Sequence, residues 1–220
     1  MQTKALVPAI LVALMCVGSA RAAVLVDTTP GTGAPPALLG GYTMGAFPSD
    51  PTAEGTLVSD LSPPVSAPVV GNLEFTDPVE HMLAGSLWDT WSHGYTGDVY
   101  FNDNDDLLMF LPNGTLAFYL YVQPNLKDVF EFALASGLTV TTLDIDGDGG
   151  ASYVGFYTDD PLDPLQFVFV RQTTNQSDGF AVGEFGINVN PDLVPEPATV
   201  ILLLGGLPLA AVVRARRKER

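Results

Sequence analysis

The residues with the clearest potential for chemistry are three carboxylates at alternate positions in an acidic, glycine-rich stretch. Asp144, Asp146 and Asp148 are separated by single residues. Oxygen ligands at this spacing, with glycines that let the backbone bend, are how a calcium loop begins. The twelfth position of such a loop needs a bidentate Glu, and here it is Gly155. The spacing therefore predicts either an isolated calcium turn or, more commonly, an acidic turn between strands that binds no ion.

A second acidic stretch, residues 102–106, reads Asn-Asp-Asn-Asp-Asp and leaves the same two alternatives open. If the two turns close on the same edge of the sandwich, a shared ion becomes more plausible.

Three aromatic side chains and a histidine are gathered in one segment with the composition of a loop. Trp88, Trp91, His93 and Tyr95 lie within eight residues of one another. Exposed aromatic rings beside polar groups stack on sugar faces, which predicts glycan contact through Trp88, Trp91 and Tyr95. The alternative, which is the commoner one in a small β domain, is that these rings belong to the core.

The inventory of catalytic residues is small. His81 and His93 are the only histidines, without a HExxH pair, and no GxSxG elbow accompanies Ser92. The only cysteine, Cys16, lies near the amino terminus, so the body lacks a cysteine for a disulfide or a zinc site. Paired carboxylates for glycoside hydrolysis remain open, although no pair is singled out. These patterns favour a non-enzymatic protein.

The elements that must position these residues are predicted to be short strands. With 22 Gly and 18 Pro, the chain favours turn-rich structure over long helices. Strand-like runs at intervals of roughly ten residues predict an all-β, antiparallel β-sandwich over residues 69–190. An irregular Pro/Gly-rich lead-in, with one or two early strands, is predicted at 23–68, and the only helical turns that the sequence allows for lie near 77–87. The predicted runs are 69–75, 97–101, 106–110, 116–122, 129–134, 138–143, 153–157, 165–170 and 180–189.

Two local patterns refine this prediction. Pro112-Asn113-Gly114 is typical of a hairpin turn between the runs 106–110 and 116–122, and the second run is predicted to be a central strand with aromatic residues on both faces. The stretch 178–187, Asp-Gly-Phe-Ala-Val-Gly-Glu-Phe-Gly-Ile, resembles the last strand of galactose-binding-like jelly rolls. That resemblance implies a jelly-roll sandwich and assigns no site.

Charge is distributed very unevenly along the chain. The formal net charge is -16, and only Lys127 and Arg171 are basic between the two ends. An acidic body repels nucleic acid and anionic lipid, because both require a basic surface. Solubility outside the cell or divalent cation binding suits such a surface better.

The amino-terminal 22 residues have the features of a signal peptide. Lys4 precedes an apolar stretch, and Ala20-Arg21-Ala22 satisfies the small-x-small cleavage rule, which makes Ala23 the expected mature terminus. Lipidation at Cys16 is the alternative, but Met15 stands where a lipobox has a small residue.

The carboxy-terminal 27 residues contain a motif, an apolar stretch and a basic tail in that order. A linker at 191–197 includes Pro195-Glu196-Pro197, residues 198–213 carry no charge, and residues 214–220 are rich in arginine. At about 1.5 Å per residue the apolar stretch approaches the ~30 Å bilayer core, which predicts a transmembrane helix with its basic end in the cytoplasm.

This arrangement resembles the PEP-CTERM sorting signal, which exosortase enzymes recognise and are thought to cleave in Gram-negative bacteria that make exopolysaccharide. The resemblance covers residues 194–220 and implies an exported protein, anchored before processing and then found at the surface or outside the cell. The alternative is an ordinary membrane anchor. For the body it implies a non-enzymatic, exopolysaccharide-associated matrix protein, with a secreted hydrolase or a passive structural protein as alternatives. The residues to which it assigns recognition and membrane retention are Pro195, Glu196, Pro197, Arg214, Arg216 and Arg217.

Overall fold

The structure, a computed structural model, describes residues 23–62, 71–174, 178–190 and 192. The predicted signal peptide, the Pro-Glu-Pro motif, the predicted transmembrane helix and the basic tail lie outside the described residues. Among the described residues there is no helix with the length and apolar character needed to cross a membrane.

Thirteen β-strands make up the regular structure of the described residues. They are β1 (Val24–Asp27), β2 (Leu38–Leu39), β3 (Tyr42–Thr43), β4 (Gly45–Ala46), β5 (Leu57–Leu61), β6 (Leu73–Leu83), β7 (Asp98–Asn102), β8 (Asp106–Pro124), β9 (Val129–Ser136), β10 (Thr139–Asp146), β11 (Ser152–Thr158), β12 (Leu165–Gln172) and β13 (Phe180–Val189).

Eleven of these strands belong to one sheet, and β2 and β3 form a separate two-stranded ribbon. The main path runs β10-β9-β12-β8-β13-β7-β6-β5, with β11 also paired to β8, β1 to β11 and β4 to β13. All strand pairings are antiparallel, so the predicted all-β, antiparallel class is confirmed, and every predicted run overlaps a strand. The sandwich and jelly-roll types remain predictions.

The longest strand, β8, organises the sheet because its two halves have different partners. Its first half pairs with β12 and briefly with β6, and its second half pairs with β11 and β13. Residues 117–122 are buried on both faces of the strand. Phe118, Leu120 and Val122 join the main core, whereas Tyr119 and Tyr121 join a second cluster with Tyr153. The predicted central strand with aromatic residues on both faces is therefore confirmed.

The hairpin turn predicted at Pro112-Asn113-Gly114 is wrong, because these residues lie inside β8. Gly114 has a positive φ of 80°, and the Thr115 hydroxyl donates to the Pro112 carbonyl at 2.6 Å. The register with β12 and β13 shifts beside them. The turn residues produce an irregularity within one strand rather than a reversal, since both flanking runs find partners in the same sheet.

The segments before the predicted sandwich also belong to the sheet. The lead-in that was expected to be irregular contains β1 to β5, of which β1 pairs with β11, β4 with β13 and β5 with β6. Turns were expected near 77–87, but residues 77–83 belong to the strand β6. Pairing with β5 and β7 supplies hydrogen bonds that the local sequence does not reveal.

Candidate functional site: a carboxylate pocket lined by aromatic side chains

A β-bulge in β13 positions the most unusual carboxylate of the described residues. Gly183 lies opposite Tyr121 and Gly186 opposite Tyr119, so β13 carries one more residue than β8 over this interval. Glu184 occupies the bulge with a φ of 51°. A non-glycine residue in this region costs about 1–3 kcal/mol, and such strain concentrates at functional sites. The bulge also redirects the side chain from the regular alternation of the strand.

The Glu184 carboxylate is held by two side chains from the loop between β6 and β7. Its Oε2 atom accepts a hydrogen bond from Trp91 Nε1 at 3.1 Å and lies 3.0 Å from His93 Nε2. The Glu184 side chain is 9% exposed and the His93 side chain 18%. His93 also has a positive φ, of 40°, so both partners of this contact adopt a backbone conformation that side chains disfavour.

Burial dominates the electrostatics of Glu184. Loss of water around the carboxylate raises its pKa, and this effect outweighs the opposing influence of the His93 charge and of the Trp91 and His93 hydrogen bonds. The side chain therefore takes up a proton more readily than an exposed Glu does.

Two tyrosines of β8, Tyr119 and Tyr121, lie near this carboxylate and pack with Tyr153. The rings of Tyr119, Tyr121 and Tyr153 contact one another with centroid distances of 5.5–6.4 Å. Burial, followed by the negative charge of Glu184, raises the pKa of Tyr119 to about 12. The same two causes raise the pKa of Tyr121. Their hydroxyl groups therefore stay protonated at neutral pH.

A second carboxylate, that of Asp98, lies at the start of β7 and is held by a different set of partners. Its Oδ1 atom is 2.8 Å from Nε2 of His81, whose side chain is 2% exposed. Its Oδ2 atom accepts the backbone N–H of Asp50 at 3.1 Å. Tyr100 donates to Asp50 Oδ2 at 3.4 Å, which ties the loop before β5 to the same group. Both oxygens of Asp98 are thus occupied by protein partners.

Asp98 and Glu184 line the same small pocket, which is called the Asp98–Glu184 pocket below. Its volume is about 140 Å³. Loss of water raises the pKa of both Tyr95 and Tyr100, with the neighbouring carboxylates adding to the effect. The aromatic residues in its wall are Phe47, Tyr95, Tyr100, Tyr119 and Phe185.

The three aromatic residues predicted for glycan contact have different environments. Trp88 is 7% exposed, donates to Gln123 Oε1 at 2.9 Å and packs on Phe101, so the core alternative applies to it. Trp91 and Tyr95 are half-buried, with their ring centroids 6.3 Å apart. The glycan prediction therefore depends on Trp91 and Tyr95.

The residues of the predicted calcium turn are exposed and make local contacts. Asp144 and Asp146 lie on β10 opposite Glu131 and Val129 of β9. Asp146 Oδ1 accepts the backbone N–H of Asp148 at 3.0 Å. Over the residues that the structure describes, no group of three or more acidic, histidine or cysteine side chains is arranged to hold a metal ion. Calcium binding stays a prediction.

The second acidic stretch is closed by its own amide. Asn102 Nδ2 donates to the carbonyl oxygens of Asn104 and Asp106, both at 2.9 Å. This arrangement is that of a capped turn between β7 and β8, and ion binding at this stretch stays a prediction.

Sequence reasoning did not find Glu184, Asp98 or His81 as site residues. One usable signal was present, because Glu184 is the only charged residue in the apolar run 180–187 and lies in a Gly-Glu-Phe-Gly sequence. Ser92, which neighbours His93 in sequence, donates to the Ala151 carbonyl instead.

The partners of Asp98 gave no local signal, since His81 is 17 residues away and Asp50 is 48 residues away. Comparison of the chain with protein-family models, with curated proteins and with solved structures found no match.

Proposed function

We propose that this is an exported surface protein, sorted by an exosortase at Pro195-Glu196-Pro197, whose β domain is a non-enzymatic, exopolysaccharide-associated component of the extracellular matrix. The observation that carries the binding role is the Asp98–Glu184 pocket, in which carboxylates stand beside aromatic rings. Carbohydrate sites combine such rings, which pack on sugar faces, with polar groups that bond to the ring substituents. Trp91 and Tyr95 place half-buried aromatic surface at or beside this pocket.

The contacts of Ala23 support export with cleavage before this residue. Its backbone nitrogen donates to Asp159 Oδ1 at 2.8 Å, and its carbonyl accepts from the Asp159 backbone at 3.2 Å. Cleavage after Ala22 would turn this nitrogen into an ammonium group that already has a carboxylate partner. The mature terminus would then be held against the end of β11.

Intact mass measurement of the protein recovered from the producing cells' surface and medium tests the sorting proposal. A mass that begins at Ala23 and ends near Pro195 to Pro197 is expected. Glu196→Ala, or deletion of the chain from Arg214 onward, is expected to leave unprocessed or mislocalised protein. Normal processing of both variants, or a recovered mass that extends through Arg220, would require the exosortase proposal to be withdrawn.

A pull-down with exopolysaccharide from the producing cells tests whether the β domain binds polysaccharide. Retention of the purified full-length chain, reduced in a Trp91→Ala variant, is expected. Leu138→Ala serves as a matched control, because Leu138 is 86% exposed and lies outside the pocket. No retention with or without calcium would contradict the binding proposal.

A secreted glycoside hydrolase is the second candidate, favoured by the presence of two carboxylates in one pocket. Two features favour binding over hydrolysis. Both oxygens of Asp98 are already bonded, and 140 Å³ is below the ~300–1,000 Å³ of ligand clefts that enclose small molecules. Release of reducing ends from the exopolysaccharide, abolished by both Glu184→Gln and Asp98→Asn, would establish the hydrolase instead.

A further inference from the structure

The Asp98–Glu184 pocket has the chemistry of a site for an organic cation. Two carboxylates contribute negative charge, and the wall also contains Tyr95 and Tyr119, whose ring faces would attract a cation through their quadrupoles. Tyr100 and Phe185 also line the pocket, but their rings are already stacked on neighbouring rings. A hydrated metal ion fits less well, since calcium takes six to eight oxygen ligands and much of this wall is ring carbon. An ammonium group can interact with both the carboxylates and the aromatic rings of the wall.

The Glu184 carboxylate has one oxygen available for a hydrogen bond from a ligand. Its side chain is more than nine-tenths buried, and both of its protein contacts are made by Oε2. Among the described residues, Oε1 has no hydrogen-bond donor. This atom is accessible rather than enclosed, since the buried side-chain atoms without a partner among the described residues are His81 Nδ1 and the Tyr153 hydroxyl, so a cation that enters the pocket could donate to it.

The size of the pocket limits what enters it. A volume of about 140 Å³ is below the ~300–1,000 Å³ of clefts that enclose small molecules. That space accepts an amino group and the carbon atoms next to it, but not a chain of sugar rings. The remainder of a polymer would lie outside the pocket, against the half-buried surface of Trp91.

Charge over the rest of the body points to the same class of ligand. Lys127 and Arg171 are the only basic residues from residue 23 to residue 194. A polymer with repeated positive charges would be attracted to this surface over distances comparable to the Debye length, about 8–10 Å. A polyanionic polysaccharide would be repelled.

We propose that the Asp98–Glu184 pocket binds the protonated amine of an amino sugar, so that the preferred polysaccharide carries free glucosamine-type amines. This inference rests on the proposed association with polysaccharide and specifies its chemistry. Oε1 of Glu184 accepts a hydrogen bond from the ammonium group, Asp98 adds charge, and Tyr95 and Tyr119 present ring surface to the adjacent carbon atoms.

The test is an NMR titration of the purified full-length chain with sugar oligomers. Binding is followed through the indole N–H resonance of Trp91, which donates a hydrogen bond to Glu184. Glucosamine hexamer is compared with N-acetylglucosamine hexamer at a pH at which the free amine is protonated. We expect the free amine to bind about 10- to 100-fold more tightly, because acetylation removes the charged hydrogen bond. This comparison uses only the unaltered protein, so it does not depend on whether a variant folds.

The variants add residue specificity. Glu184→Gln should lower affinity for glucosamine hexamer about tenfold or more, whereas Glu74→Gln, which removes the same charge from an exposed position on β6, should change it less than about twofold. Equal binding of both hexamers, or an equal loss in the two variants, would overturn the inference.

Two further measurements distinguish failure of this inference from failure of the proposed function. A lysine hexapeptide that bound as tightly as glucosamine hexamer would overturn the assignment to a sugar. If native exopolysaccharide is retained in the pull-down but glucosamine hexamer does not bind, this inference fails and the proposed function stands. If neither is bound, both fail.

Discussion

The two acidic regions of this molecule, the Asp98–Glu184 pocket and the turn at residues 144–148, contain the same chemical groups in opposite environments. The turn is dense in carboxylates in the sequence, yet its three aspartates are exposed. Within the turn, the Asp146 carboxylate accepts a hydrogen bond from the backbone N–H of Asp148. The pocket brings together isolated carboxylates from β7 and β13, with partners drawn from distant parts of the chain. Local density of acids is therefore a poor guide to which carboxylates the fold isolates from water.

Reversing one charge in each region is the strongest test of whether the two regions differ electrostatically. Glu184→Lys should lower the free energy of unfolding by about 3–5 kcal/mol, because it places an unpaired cation beside His93 and the Trp91 N–H. Asp144→Lys should change it by less than about 0.5 kcal/mol, since the side chain is exposed and faces Glu131. Urea unfolding measures both. Equal effects would show that the pocket is not electrostatically distinct.

A smaller difference is expected when one methyl group is added in each region. A Cβ on Gly186 would lie within 2.1–2.6 Å of the Tyr119 ring, so Gly186→Ala should cost about 1–3 kcal/mol and displace that ring from the pocket wall. A Cβ on Gly149 would meet its nearest atom, the Asp146 carbonyl, at 3.3 Å, and we expect a smaller loss. Thermal unfolding of the two variants compares them directly. A larger loss for Gly149→Ala would contradict the packing described for Tyr119.

The pH dependence of stability should carry a signature of Glu184. Because burial raises its pKa in the folded protein, the folded state binds this proton more tightly than the unfolded state does. The resulting contribution is fully present below the unfolded pKa and is lost as pH rises through the raised folded value. Urea unfolding across the acidic range should show this loss in the natural protein and not in Glu184→Gln. The same profile in both proteins would mean that other groups cause it.

The smallest expected effect is that of calcium on the turn. An isolated turn without a bidentate Glu should bind with a dissociation constant near ~1 mM or weaker. At about 1 mM calcium this adds at most ~0.4 kcal/mol, or a Tm increase of roughly 1–2 °C. Calorimetry with Asp146→Asn as control checks this. An increase of many degrees that the variant abolishes would establish a true calcium site and reverse the comparison.

Much of the fold could be predicted because its signals are local. Every predicted strand-like run overlaps a strand, although β6 was predicted only at its start and β8 was divided into two runs, and the run 116–122 was correctly expected to be central. The failures are equally specific. Pro112-Asn113-Gly114 is a strong turn signal that tertiary pairing overrides, because β12 and β13 hold both sides of it in one strand.

The candidate site illustrates the same limit at the level of side chains. Trp91 and Tyr95 were identified from composition, but their neighbour Trp88 has nearly the same sequence environment and is a core residue. Which indole is buried depends on Gln123, 35 residues away, and no local pattern reports that contact.

By itself, the sequence determined the class of fold, the acidity of the body and the order of motifs at the two ends, since composition, hydropathy and strand periodicity are properties of short segments. The tertiary structure alone decided which carboxylates lose their water. Desolvation depends on what packs around a side chain, and for Glu184 those neighbours come from β8 and from a loop some 90 residues away.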